Sequence, residues 1–164
     1  HRDAKPLVDH YGIPWIDLPA KAGDDQAKAL SESAVLEKAS ETGVELFVLA
    51  RYMQVLSGRF LSQSRAPVIN IHHSFLPAFK GGRPYHQAWE RGVKIVGATA
   101  HYVTEDLDEG PIIGQDVVRI SHRDTVDDIV RKGRDLEKMV LSRAVRLHLS
   151  HRVIRHRNRT IVFE

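Results

Sequence analysis

A chain of 164 residues has the length of one domain and enough material to bury a substantial core. Its 42% hydrophobic and 27% charged residues are ordinary for a globular protein. It carries neither an apolar run of the roughly 20 residues that span a bilayer nor a charged-then-apolar leader, so the expected setting is cytoplasmic, with no membrane partner. Zero cysteines exclude disulfides, thiolate metal sites and a cysteine nucleophile. The net charge of +3 gathers toward residues 143–159, which lack the interleaved aromatics of a nucleic-acid surface. They read as a solvated or subunit-facing helix end, and no nucleic-acid partner is expected.

In chain order, Ala4, Leu7, Val8 and Tyr11 recur at helical spacing and stop at Gly12, as at the end of a helix. Residues 13–18 read as a short strand. Asp24 or Asp25 can cap a helix that carries Ala27, Leu30, Ala34 and Val35 on one face and ends at Gly43. Residues 44–50, apolar apart from Glu45, predict a buried strand. A short segment around Phe60 precedes a second apolar strand over 68–71. Residues 77–82 form a loop. Pro84 then suits the first turn of a helix running to Gly92, because a proline there gives up an amide that had no helical partner. Residues 93–102 and 112–120 are strand-like and separated by the turn-rich 104–110. A long helix from about Thr125 to Ser150 follows, striped by Val126, Ile129, Val130, Leu136, Met139, Val140 and Leu147, and residues 160–163 make a last strand. The alternation predicts an α/β fold: a mostly parallel sheet with helices on both faces and a ligand crevice beyond the carboxyl ends of its strands.

Asn70 and His72 sit at such an end. Successive side chains of a strand point to opposite faces, so Asn70 and His72 share a side while His73 is expected to diverge from His72. An amide can donate to an oxygen gaining charge, and an imidazole can shuttle a proton. Asp108, if the fold brings it close, would hold the ring and favour its protonated form. A core histidine with an asparagine satisfying a turn is the bland alternative, and spacing leaves both open. Zinc is a weak reading of the ten histidines, because no pair stands at the spacing of a helical zinc site and no cysteine is present to complete a finger, although His72, His101 and Asp108 could in principle hold an ion; no metal is expected. Lys80-Gly81-Gly82-Arg83 could cradle an anion on backbone amides but is more often just a turn. Residues 51–57 could line a pocket for a flat heterocycle or be core.

Asn70-Ile71-His72, Leu76-Pro77 and Leu107-Asp108-Glu109-Gly110-Pro111-Ile112-Ile113 resemble the motifs of the folate-dependent formyltransferase superfamily. More narrowly, residues 72–79, 83–88, 97–103, 133–137 and 158–161 are similar to its deformylase branch, so the resemblance runs along essentially the whole chain. It implies a Rossmann-like formyltransferase fold. Residues 1–164 would be a catalytic domain lacking an N-terminal strand, helix and strand and an ACT-type sensing domain. The implied reaction is hydrolysis of 10-formyltetrahydrofolate to formate and tetrahydrofolate, feeding purine synthesis and balancing one-carbon pools, with folate as substrate and no cofactor. Asn70, His72 and Asp108 would form the catalytic trio. The pterin would lie against Met53, Gln54, Val55 and Leu56 and against Thr104, Glu105 and Leu107, with His101 close by. Gln54 stands where related transferases often have arginine, so folate contacts there are expected to differ. The alternative is transfer of the same formyl group to an amine such as that of glycinamide ribonucleotide. The trio serves either; His73, where transferases usually carry proline, leans toward hydrolysis. The long striped helix and the final strand leave room for the subunit contacts of a homo-oligomer.

Overall fold

The computed structural model describes residues 2–18, 23–77 and 83–164. The chain divides into two compact units, His1–Gly43 and Val44–Glu164. In the first, α1 (Lys5–His10) carries a proline in its opening turn and gives way to Gly12 at φ 64. Helix α2 (Asp25–Thr42) starts where the Asp24 side chain accepts the Ala27 amide at 2.9 Å, and it stops at Gly43 in the left-handed region with φ 66. Both boundaries follow from the capping residues. Residues 13–18 are not a strand: a strand exists only as part of a hydrogen-bonded ladder, and no described segment pairs with them. Leu30, expected on the inner face of α2, is exposed.

The second unit is built on a four-stranded sheet in the order β1 (Phe47–Leu49), β2 (Val68–His72), β3 (Ile95–Tyr102), β4 (Ile112–Arg119). The expected α/β class holds, with a correction to the sheet. The β1–β2 pairing is parallel, whereas β2–β3 and β3–β4 are antiparallel, so the sheet is mixed rather than mostly parallel. Chain path explains the last pairing, since residues 103–111 are fewer than the dozen or so that a parallel crossover needs.

Alternation along the strands gives the sheet two different faces. Ile69 and Ile71 of β2 and Ala98, Ala100 and Tyr102 of β3 form one buried cluster with Leu136, Val140 and Ala144 of α5 (Val126–Leu149). Thr125 starts α5 with a capping box: its hydroxyl accepts the Asp128 amide while the Asp128 carboxylate accepts the Thr125 amide. Met139, placed on the stripe by sequence, is exposed. Helix α4 (Pro84–Arg91), whose proline opens the first turn as expected, adds Tyr85 and Ala88 to a second cluster with Val96, Ile120 and Ile129. On the other face α3 (Gly58–Gln63), capped by Ser57, sets Phe60 edge-on against Phe47 with ring centroids 5.4 Å apart. Helices therefore cover both faces.

The chain ends in a separate two-stranded ribbon, β5 (Val153–His156) against β6 (Arg159–Val162). The final strand was legible in sequence; β5 lay hidden in the basic stretch assigned to a helix end. Among the described residues no helix is long and apolar enough to cross a membrane.

Candidate active site

The register of β2 and β3 builds the site. Asn70 lies opposite His101, and His72 lies opposite Thr99, so these four side chains share the face that α5 does not cover. His101 is only 2% exposed, and its Nδ1 lies 2.9 Å from the Tyr102 carbonyl, which can only accept; Nδ1 therefore carries the proton. That leaves the Nε2 lone pair to accept from the Asn70 amide nitrogen at 3.3 Å. One N–H of Asn70 is thus tied down, and the amide orientation with it. Its second N–H remains for another acceptor.

Asp108 closes the group. Its Oδ2 lies 3.2 Å from Nδ1 of His72 and its Oδ1 3.6 Å from Nε2 of His101. The His72 and Asp108 side chains are 7% and 11% exposed, so the pair sits largely out of water, where their attraction is weakly screened. Amide, imidazole and carboxylate converge as the sequence suggested, although they lie far apart along the chain. Together they can donate to an oxygen gaining negative charge and move a proton beside it. Among the described residues no group of three or more histidine, aspartate or glutamate side chains is placed to hold a metal ion.

Two frames hold these groups. Asp108 adopts φ 57, a left-handed conformation that a short carboxylate tolerates better than most side chains. Its loop is closed by the Tyr102 amide on the Pro111 carbonyl at 2.9 Å, and a Cβ on Gly110 would fall 1.8 Å from the Tyr102 oxygen. Only glycine lets the loop return this tightly. The terminal ribbon ties it from outside: Asn158 donates to the Glu109 carbonyl at 3.0 Å, and Thr160 to the Ile112 carbonyl. The turn after His72 is held by Thr99, which donates to the Ser74 carbonyl at 2.8 Å and accepts the Leu76 amide at 3.1 Å and Gln115 at 2.9 Å.

A formyl transferase family model matches residues 4–145. The chain belongs to the formyl transferase family. It is 56% identical over 163 residues to a formyltetrahydrofolate deformylase of Synechocystis, covering 99% of this chain and 56% of that protein. To one of Mycobacterium tuberculosis it is 58% identical, covering 99% and 51%. Among solved structures, a formyltetrahydrofolate deformylase from Pseudomonas syringae superposes with a TM-score of 0.92 at 49% identity, covering all of this chain and 54% of that one. A glycinamide ribonucleotide transformylase from Symbiobacterium toebii gives 0.83 at 33% identity, covering 97% and 74%. The chain spans about half the length of the curated relatives it matches.

The remaining sequence-derived positions divide. Met53 is 72% exposed and Leu107 59%, with Val55 also exposed and Gln54 half-buried, while Leu56 is core. Thr104 is half-buried, its hydroxyl on the Asp106 carbonyl, and Glu105 is exposed with its carboxylate beside Gly58, so the Asp108 loop adjoins the start of α3. Arg83 takes φ 56 just before α4; residues 80–82 of the suggested anion cradle lie outside the described residues. His72 and His73 were expected to diverge. Their rings instead stack, centroids 5.0 Å apart and planes 18° apart, because β2 ends at His72 and alternation no longer governs His73. Thr99, Gln115 and Asn158 support the site without a sequence signal, since a hydroxyl or amide that holds a distant loop leaves no local pattern in sequence.

Proposed function

We propose that this chain carries the hydrolytic site for 10-formyltetrahydrofolate, releasing formate and tetrahydrofolate. The observation that carries the reading is the meeting of Asn70, His72 and Asp108 on one sheet face, 3.2 Å between imidazole and carboxylate, in a chain similar to proteins named formyltetrahydrofolate deformylase. A water molecule beside Asp108 attacks the formyl carbon and gives a proton to the carboxylate. The oxygen of the former carbonyl becomes an oxyanion, which takes hydrogen bonds from the free N–H of Asn70 and from protonated His72. The carbon–nitrogen bond then breaks as the transferred proton reaches the folate nitrogen, and formate leaves. The group needs no metal or cofactor for these steps.

His101 positions Asn70 rather than touching the reacting carbon, as its burial and its bond to the amide suggest. Met53, Gln54, Val55, Thr104, Glu105 and Leu107 would meet the pterin; the exposed apolar surface of Met53, Val55 and Leu107 is what a flat heterocycle would cover. Residues 1–164 would act as the catalytic part of a cytoplasmic homo-oligomer that feeds formate to purine synthesis. Incubating the protein with 10-formyltetrahydrofolate and no amine tests the reading. Formate and tetrahydrofolate should appear in equal amounts. Turnover that begins only when an amine such as glycinamide ribonucleotide is added would assign a transferase instead.

A further inference from the structure

His73 is a polar residue without an evident polar task. Its Nε2 is buried and makes no hydrogen bond among the described residues, an arrangement that costs desolvation and calls for an explanation. What the ring does offer is a face. It lies nearly parallel to the His72 imidazole at 5.0 Å, and the tilted Tyr85 ring meets it at 6.3 Å and 51°. Tyr85 is in turn anchored to α5: its hydroxyl donates to the Glu137 carboxylate, and burial pushes the phenol's ionisation well above the ordinary range. The column fits because position 133 is glycine. A Cβ there would fall 2.2 Å from Cζ of Tyr85.

We propose that His73 is a positioning residue, the middle member of a ring column, His72–His73–Tyr85, that fixes the plane of the His72 imidazole. The inference rests on reading His72 as the proton-handling group. Asp108 meets the edge of the His72 ring at Nδ1, 3.2 Å away. The stacked His73 ring meets its face. Offset or parallel stacking is favourable for flat rings and has no counterpart for a branched aliphatic side chain of similar bulk. The consequence is that planarity at position 73, rather than volume or hydrogen bonding, sets the turnover rate.

The test compares His73→Phe with His73→Leu, read as kcat and KM for amine-independent formate release, with thermal melts to confirm folding. His73→Phe keeps a flat face and should stay within about threefold of wild-type kcat, whereas His73→Leu should lose roughly ten- to a hundredfold with KM almost unchanged, the size expected when a reacting group is slightly misplaced. Tyr85→Leu, which withdraws the support behind His73, should fall in the same way, and so should Gly133→Ala despite its better helix propensity. Wild-type kcat in His73→Leu overturns the proposal. So does equal damage in His73→Phe and His73→Leu, which would mean that Nε2 matters and the flat face does not. If His73→Leu fails to fold, Tyr85→Leu decides: kcat within about threefold of wild type refutes the column. His72→Gln separates the two levels. Turnover surviving that change sinks the reading of His72 itself, while its loss together with a normal His73→Leu sinks only the column.

Discussion

Replacing Asp108 with asparagine keeps the shape of the side chain and removes its charge. Two limits bound the effect. At 3.2 Å and the effective dielectric near 20 that suits protein sites, a carboxylate and an imidazolium attract by about 5 kcal/mol. The net value of a hydrogen bond to a charged group is lower, about 1.5–3 kcal/mol, because the alternative partners are not lost altogether. With tenfold in rate for each 1.4 kcal/mol, those limits put the fall in kcat between about 10-fold and several thousand-fold. The charge acts on the group that changes during reaction, so folate binding in the ground state should stay within about threefold. Formate release without amine gives kcat, and quenching of protein fluorescence by the folate gives binding. A kcat within about threefold of wild type would refute the role given to Asp108. An equal loss in binding would reassign it to holding substrate.

Three further outcomes follow from the frames around the site. Thr99→Val preserves shape but removes the hydroxyl's bonds to the Leu76 amide and the Ser74 carbonyl, which should cost about 1–3 kcal/mol and show as a lower melting temperature. An unchanged melt would mean that the turn is held by something else. Asn158→Ala removes the ribbon's hold on the Glu109 carbonyl, so kcat should drop several-fold while the melting temperature moves little; full activity would show that the Asp108 loop keeps its place unaided. His148 sits half-buried against the Tyr102 hydroxyl at 2.8 Å, and burial, then Arg155 and His151, hold its proton affinity below the ordinary 6.5. Its folded value is depressed, so the unfolded chain takes up the proton first. The stability it contributes is present above 6.5 and is lost as pH falls from there through the folded value. His148→Gln should therefore show a shallower fall in melting temperature below pH 6.5 than wild type; parallel curves would contradict the linkage.

Much of the architecture could be read residue by residue. Asp24, Thr125, Gly43 and Gly92 mark helix ends because local capping chemistry decides them, and β2 and β3 announce themselves as apolar runs, whereas the stretch 44–50 expected to be buried shrinks to Phe47–Leu49 with no buried residue. What depended on pairing did not show. Residues 13–18 have strand-like composition without a ladder, and Val153–His156 forms a strand only because residues 159–162 fold back on it. Strand direction was likewise invisible, since an apolar run looks the same whichever way its neighbour points. At the site, Asn70 and His72 were legible because two residues on one strand share a face. That Asp108 meets them depends on a loop held by Gly110 and by Asn158, and only the motif resemblance anticipated it. The stacking of His73 was the clearest reversal: alternation holds only as far as the strand, and β2 stops at His72.

In the proposed reaction water, held by Asp108 beside the formyl carbon, supplies the incoming oxygen. A single turnover of 10-formyltetrahydrofolate in ¹⁸O-labelled water, with every amine acceptor withheld, measures this directly by mass spectrometry of the products. Attack by water requires formate with one heavy oxygen and tetrahydrofolate with none. Formate lacking the label, or tetrahydrofolate released only when an amine is supplied and with the formyl group then on that amine, would contradict it.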